Sequence, residues 1–481
     1  MNAKSICRAV TLALPMAVLT AGHAYAQLRD TSVQSLTAMD GTVYEVTSAF
    51  VRVPELRGPG GALSGQIDLA VVRVRRAGAA ASTAANVVLA GGPGDSGVNQ
   101  VTGLARQGGA ILFDLFDGDI VGIDQRGTGR SRPNLDTSAL YGLPLDAAGD
   151  PEAWMPRIER ASREVAAAFR ASGIRLEAYN TRESADDVED VRRAFGYEKL
   201  TLWGRSYGSH LALATVARHP AMVNRLVLVS PEGPNHTWKL PSQVDTVIHR
   251  LAERGAADLE ANMREVLARL AAQPVTVTVR HPLTGADSAV VLGKFDLQWI
   301  TAQALGDPRL LATLPAAYRQ MAQGHFEGIA QIALLRRSQA GVQSAMKQMM
   351  DLSSGASVER RRRIDAESRV ALLGNAINFP GMHLGEAWAP ITDLGDEFRG
   401  PVSSSVPTLI LVGDLDPRTP VENGREIAAT LPAARLVVLE NATHQFDLFG
   451  SAAIRTLLAQ FLRGEDIAIG RLTLPPIVFR E

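Results

Sequence analysis

The chain has 481 residues, 46% of them hydrophobic, with 49 basic side chains against 50 acidic ones. A formal net charge of -1 supplies no general attraction to nucleic acid or to an anionic membrane surface. The length allows one large core and a second domain.

Residues 1–26 read as a secretory signal peptide rather than as part of a fold. Lys4 and Arg8 form a positive start, Ala9 to Ala21 a mostly apolar run, and Ala24-Tyr25-Ala26 a small-residue cleavage site. The mature chain is expected to begin at Gln27 and to be exported, to the periplasm or outside the cell. The apolar run is too short to span a bilayer, and no later segment reads as a transmembrane helix. The single cysteine, Cys7, lies in this leader. The mature protein would therefore depend on its core, without disulfides.

Beyond the leader, residues 44–53 and 66–75 alternate as two strands, read as an antiparallel edge pair joined through Gly58-Pro59-Gly60-Gly61. Residues 86–90 form a short buried strand running into Gly91-Gly92-Pro93-Gly94-Asp95-Ser96-Gly97. Another, 119–123, ends in Asp124-Gln125-Arg126-Gly127-Thr128-Gly129-Arg130-Ser131. A helix is expected over 181–195, with Thr181 or Ser184 as N-cap and Gly196 just past its end. The run from Leu200 to Trp203 is a strand, and a helical pattern from Leu211 to Ala217 follows the turn after it. Residues 225–229 are apolar again. Apolar strands alternating with helices imply a parallel sheet covered on both faces.

That rhythm breaks over 235–405, which is mainly helical (244–254, 259–270, 309–321, 326–335) with one hairpin, 275–280 with 289–292. The stretch is too long for a crossover and too apolar for disorder, so it reads as an inserted cap domain. Within it, the charge run Glu359 to Arg363 reads as a solvated helix face, because no aromatic residues interleave for base stacking. The doubly wound rhythm resumes with strand 407–412, helix 421–431, strand 435–439 and helix 452–461. The expected fold class is thus α/β, a mostly parallel central sheet with helices on both faces and a mainly helical cap. Its core is divided into 27–234 and 406–481 around the cap.

The chemistry centres on Gly204-Arg205-Ser206-Tyr207-Gly208, a strand–turn–helix junction with serine at the turn. Such a sharp bend lifts the hydroxyl clear of the sheet and aims the next backbone N–H at the same spot, and the glycines remove side chains that would clash there. A serine hydroxyl is a poor nucleophile until a base takes its proton, and the base needs a third group to fix its tautomer. In this architecture the order should be serine, then an acid after a late strand, then histidine. His444 stands just beyond the last expected strand. Asp416 is the favoured acid because Pro417 stiffens its loop, with Asp414 the alternative. For the oxyanion, Tyr207 N–H is one expected donor. The glycine loop should supply the other, from Gly92, with Gly91 as the fallback because Pro93 has no N–H.

Competing signatures are absent or incomplete. Gly94-Asp95-Ser96-Gly97 mimics the nucleophile motif of trypsin-like proteases, but the histidine upstream of it, His23, belongs to the leader. No Gly-Lys-Ser/Thr follows either glycine loop, so neither is a P-loop. There is no HExxH and no CxxC, so no metal is implied, and no cofactor is expected.

In this order the motifs make the chain resemble the α/β-hydrolase superfamily and, more narrowly, its S33 peptidases, the prolyl iminopeptidases and tripeptidyl aminopeptidases. The residues that carry the likeness are Gly91 to Gly94, Asp124 to Ser131, Gly204 to Gly208, Asp416-Pro417-Arg418-Thr419-Pro420 and His444. The resemblance implies a Ser206–His444–Asp416 triad, a helical cap over the site, and release of residues from peptide N-termini. An aminopeptidase must also hold a free ammonium, which needs a nearby carboxylate. Glu232, just after a core strand, is the candidate, and it could instead cap a turn or pair with a cap arginine. Glu386, Asp393, Asp396 and Glu397 are unranked further candidates. Arg126 and Arg130 are expected to brace the loop beside the oxyanion hole. The expected partner is a small peptide or aminoacyl substrate. An esterase or amidase acting on non-peptide substrates is the alternative, since the same machinery cleaves either.

Overall fold

The computed structural model describes residues 27–58, 63–116, 118–282 and 284–480, with the side chains of 109–114 left aside. The expected leader and most of the expected 58–61 turn lie outside the described residues.

Fourteen strands occur among these residues: β1 (Leu28–Thr37), β2 (Val43–Arg57), β3 (Leu63–Arg76), β4 (Ala84–Leu89), β5 (Asp119–Ile123), β6 (Asp136–Leu140), β7 (Lys199–Arg205), β8 (Val223–Val229), β9 (Val275–Arg280), β10 (Asp287–Leu292), β11 (Gly341–Ser344), β12 (Thr408–Gly413), β13 (Ala434–Glu440) and β14 (Arg471–Thr473). Ten of them form one sheet in the order β1-β2-β3-β5-β4-β7-β8-β12-β13-β14. From β5 to β14 neighbours run parallel. The β1, β2 and β3 strands are antiparallel additions at one side.

The parallel strands are apolar throughout because both faces are covered. Leu226 and Leu228 join one buried cluster with Leu202, Val188 and Leu211, while the alternating Val227 and Val229 join another with Val98, Val101 and Ile454. Each such side chain contributes about 2 kcal/mol by leaving water. The α/β-hydrolase architecture expected from the sequence is the one observed.

The residues between β8 and β12 have a cluster of their own, built on Val244, Ile248, Leu267, Leu297 and Leu334 among others. Helix Ala345–Ser354 behaves differently, since Met346, Met349 and Met350 pack into the core cluster of the sheet. The strand before it, β11, pairs with β6, which follows the Asp124–Ser131 loop.

Several local expectations need correction. The β2–β3 pair is not an edge, because β1 lies outside β2. That strand is almost wholly exposed and its sequence, LRDTSVQSLT, has no apolar alternation to betray it. Helix Thr181–Phe195 is capped by Asn180, whose side chain accepts from Glu183 N. The helix expected over 309–321 is two, Pro308–Leu311 and Leu314–Ala322, because Pro315 fits only a first turn. Helix Pro151–Ala171 carried no expectation at all. In the 359–363 run, Arg360 turns inward and donates to the Trp238 carbonyl at 2.8 Å, leaving Arg361, Arg362 and Arg363 on the solvated face.

Candidate active site

Four loops meet at the carboxyl ends of β4, β7, β12 and β13, the edge of a parallel sheet where ligands bind. Because β4 and β7 are neighbours, the glycine loop lies directly beside the Ser206 turn. A Cβ on Gly91 would stand 3.4 Å from the Ser206 Cβ and 3.1 Å from the Arg205 carbonyl.

Ser206 adopts φ 53° and ψ -124°, a conformation that costs a side-chain-bearing residue about 1–3 kcal/mol. Its surroundings hold it there. The Ser206 N–H donates to the Val229 carbonyl at 3.0 Å, and the Ser206 carbonyl accepts from Ser209 N at 2.9 Å. Gly208 is required by packing, since a Cβ there would sit 1.9 Å from the Leu89 carbonyl oxygen. Tyr207 opens helix Tyr207–Arg218, so its N–H is one of the four without an acceptor inside the helix. Across the loop, Gly92 has φ 105° and is exposed.

His444 lies three strand positions away, about 14 Å at the usual inter-strand spacing, so its loop must reach back over the sheet end. It does so across Gly413, where a Cβ would lie 2.3 Å from the Ala442 carbonyl oxygen. The imidazole then bridges two partners. Nε2 is 3.1 Å from Ser206 Oγ, and Nδ1 is 2.8 Å from Asp416 Oδ2.

Asp416 is fully buried and receives three further donors. These are Arg418 N and Thr419 N at 2.9 Å on Oδ1, and the Thr419 hydroxyl at 2.7 Å on Oδ2. Burial alone would push its pKa up, but the His444 ring and the Thr419 donors outweigh burial and hold it below the usual carboxylate range. Asp414 points elsewhere, onto the Arg254 guanidinium and the Asn441 N–H. Such a row, carboxylate to imidazole to hydroxyl, can move a proton off a serine.

Glu232 is buried beside Ser209 and His210 of the helix that Tyr207 opens. Its N–H donates to the Ser209 hydroxyl at 2.8 Å, Lys239 Nζ donates to its Oε2, and His210 Nδ1 is 3.8 Å from its Oε1. Burial pushes its pKa up, yet Lys239 and then His210 overcome this and hold it below the usual range. The carboxylate is therefore ionised but already partnered. Glu386, Asp393, Asp396 and Glu397 are all exposed, with Asp393 and Asp396 paired to Arg399. Arg126 braces its loop as expected, fully buried against Asp187 and the Glu55 and Ala178 carbonyls, whereas Arg130 is exposed.

Two residues of the quoted motifs carry contacts that their spacing did not announce. Arg205 Nη2 donates to the carbonyls of His444 and Phe446, both at 3.1 Å. The Thr419 hydroxyl, besides its bond to Asp416, stands 3.2 Å from His444 Nδ1. An arginine before the turn serine and a hydroxyl three residues after the acid were the available signals.

No helix of the described residues is long and apolar enough to cross a membrane, and none of their acidic, histidine and cysteine side chains group as a metal site would require.

The chain is similar to known proteins. Over 467 aligned residues the chain is 24% identical to the serine protease Hip1 of Mycobacterium tuberculosis H37Rv, covering 85% of this chain and 87% of that protein. It is 30% identical over 178 residues to the tripeptidyl aminopeptidase of Streptomyces lividans, a match to 35% of this chain and 33% of the relative. Among solved structures, the proline iminopeptidase-related protein of Thermus thermophilus aligns with a TM-score of 0.35 and 18% identity, over 86% of this chain and 97% of that one. The tripeptidyl aminopeptidase relative and the family match below bear out the likeness to S33-type hydrolases. Residues 87–449 match the family described as alpha/beta hydrolase fold, and the chain belongs to it.

Proposed function

We propose that this chain is an exported serine aminopeptidase that releases N-terminal residues from short peptides through an acyl-enzyme on Ser206. The observation that carries the reading is the unbroken row Asp416–His444–Ser206 at the turn, with separations of 2.8 and 3.1 Å. Asp416 orients the imidazole, whose Nε2 accepts the Ser206 proton as Oγ attacks the scissile carbonyl. The resulting oxyanion is received by the N–H groups of Tyr207 and Gly92. His444 then protonates the departing amine, and water attacks the acyl-enzyme by the same route in reverse. The substrate ammonium is assigned to Glu232. The names of the relatives, a serine protease and a tripeptidyl aminopeptidase, support the peptidase class.

One observation favours a second reading, a carboxylesterase or amidase on non-peptide substrates. Glu232 already has Lys239 as its counter-ion, so an incoming ammonium must share that carboxylate.

The test compares the chain 27–481 with its Ser206→Ala variant on free-amine aminoacyl and tripeptidyl chromogenic amides, N-blocked copies and p-nitrophenyl esters. Cleavage of the free-amine amides alone, reduced by roughly a thousandfold or more in the variant, is the expected result. Ester turnover with all amides inert would replace the peptidase reading by the esterase one. Export is checked by the N-terminus of the protein recovered outside the cytoplasm, expected at Gln27.

A further inference from the structure

Behind the oxyanion loop, a cavity of about 370 Å³ opens at the seam between the insertion and the core. Tyr141, Trp299, Arg336, Gln343, Lys347 and Gln348 are among its lining residues, which include two cations and no carboxylate. Its β11 wall ends at Ser344, whose Oγ is 3.9 Å from where a Cβ on Gly94 would lie. The cavity therefore adjoins the loop that flanks Ser206.

The cations in and around this cavity are unequally committed. Lys347 donates to Asp351 at 2.5 Å. Arg337, the next residue along the helix Glu327–Ser338, is fully buried against Asp296 and three backbone carbonyls. Arg336, half-buried, has no hydrogen-bond or ion-pair partner among the described residues, and burial holds its pKa below the ordinary value. Arg418, which does not line the cavity, donates to Gln303 at 2.6 Å, and the Asp416 carboxylate acts on it more strongly than Arg336 does. Gln348 adds a second unanswered group, because its Oε1 is buried without a donor. Holding the Arg336 guanidinium partly out of water without a partner is costly unless an anion joins it. A planar carboxylate suits such a fork.

We propose that this cavity is a substrate subsite for a carboxylate, with Arg336 as its cation and Gln348 Oε1 accepting from the adjacent amide N–H. The inference rests on the peptidase reading and narrows it to short peptides whose departing portion ends in a free carboxylate.

The Ser206→Ala protein tests binding without turnover. By calorimetry it is titrated with trialanine, with trialanine amide, and with Ala-Ala-Glu amide, in which the carboxylate sits on a side chain. Trialanine is expected to bind at least about tenfold more tightly than its amide. That advantage should fall to within about twofold on Arg336→Gln and return in part with Arg336→Lys. A tight Ala-Ala-Glu amide in place of trialanine would assign the subsite to an acidic side chain, with the carboxylate proposal intact. Equal binding of all three, or a preference that survives Arg336→Gln, overturns it. Chromogenic amide turnover by the Ser206 protein reports on the peptidase reading separately. A protein that keeps the carboxylate preference but cleaves no amide retains the subsite and loses that reading.

Discussion

The Arg205 guanidinium donates to the His444 carbonyl at 3.1 Å, tying the residue before Ser206 to the loop that carries the imidazole. Burial lowers the Arg205 pKa from its ordinary value, while Asp416, Asp447 and Asp95 act in the other direction from a distance. The Ser230 hydroxyl helps from below, 3.3 Å from the same carbonyl. Arg205→Ala should let the His444 loop drift. The expected result is a kcat lower by about 10- to 100-fold at nearly constant KM, the scale of an ångström-sized misplacement. Arg205→Lys should recover part of the loss. Unchanged kcat in the alanine variant would reduce the contact to a structural one.

Asp414 and Asp416 lie two residues apart and should respond differently to the same change. Asp416→Asn leaves the row its shape but not its charge, and a kcat loss of about 10⁴ is expected, with little change in melting temperature. Asp414→Asn removes the anionic partner of Arg254, which then keeps only Asn441 Oδ1 and a neutral amide, and should cost about 1–3 kcal/mol of stability while kcat stays within a few-fold. Parallel kinetics and thermal melts on both variants check the pair. The reverse pattern would move the acid to Asp414.

Much of this site was legible because its parts are local. The bend at Ser206 needs only its flanking glycines, a strand before and a helix after. The order of serine, acid and histidine follows from which strands the loops leave. The choice of Asp416 rested on a neighbouring proline, and what distinguishes it in space is Thr419, three residues on. Contacts between distant residues were not legible. Arg205 and His444 are 239 positions apart, and nothing in Gly-Arg-Ser-Tyr-Gly specifies that the arginine reaches over to a late loop. Glu232 was placed correctly at a strand end, but Lys239, which neutralises it, belongs to the mainly helical stretch after β8, whose path has no repeating pattern. β1 was missed for the opposite reason, since an exposed edge strand needs no apolar face.

His210 links the site to stability. Its ring stacks on Tyr207 with centroids 5.6 Å apart, Nδ1 faces the Gly233 carbonyl at 3.0 Å, and Nε2 is 3.2 Å from Ser354 Oγ. Burial holds its pKa below the ordinary value of 6.5, although Glu232 pulls the other way. The folded state thus binds fewer protons than the unfolded one. Its contribution to stability is complete above about pH 6.5 and falls as the pH drops from there towards the folded value. Urea unfolding at pH 7.5, 6.0 and 5.0 should show the parent losing more stability with acid than His210→Gln does. Parallel losses in the two proteins would remove His210 from the pH response.

Thr419 offers the finest test of how the acid is held. Its N–H and hydroxyl occupy both oxygens of Asp416, and the hydroxyl also lies 3.2 Å from His444 Nδ1. Thr419→Val keeps the shape and the N–H but removes the hydroxyl donor from a buried carboxylate. Asp416 then loses one of the bonds that oppose burial, its pKa rises, and the imidazole loses a constraint on its tilt. A kcat loss of about tenfold is expected, the value of one hydrogen bond to a charged group. The acid limb of the pH–rate profile should also move to higher pH, because Asp416 must stay ionised to act. Thr419→Ser, which restores the donor, should return both towards the parent. If the valine variant loses rate without moving the acid limb, the hydroxyl acts on the geometry of His444 rather than on the charge of Asp416.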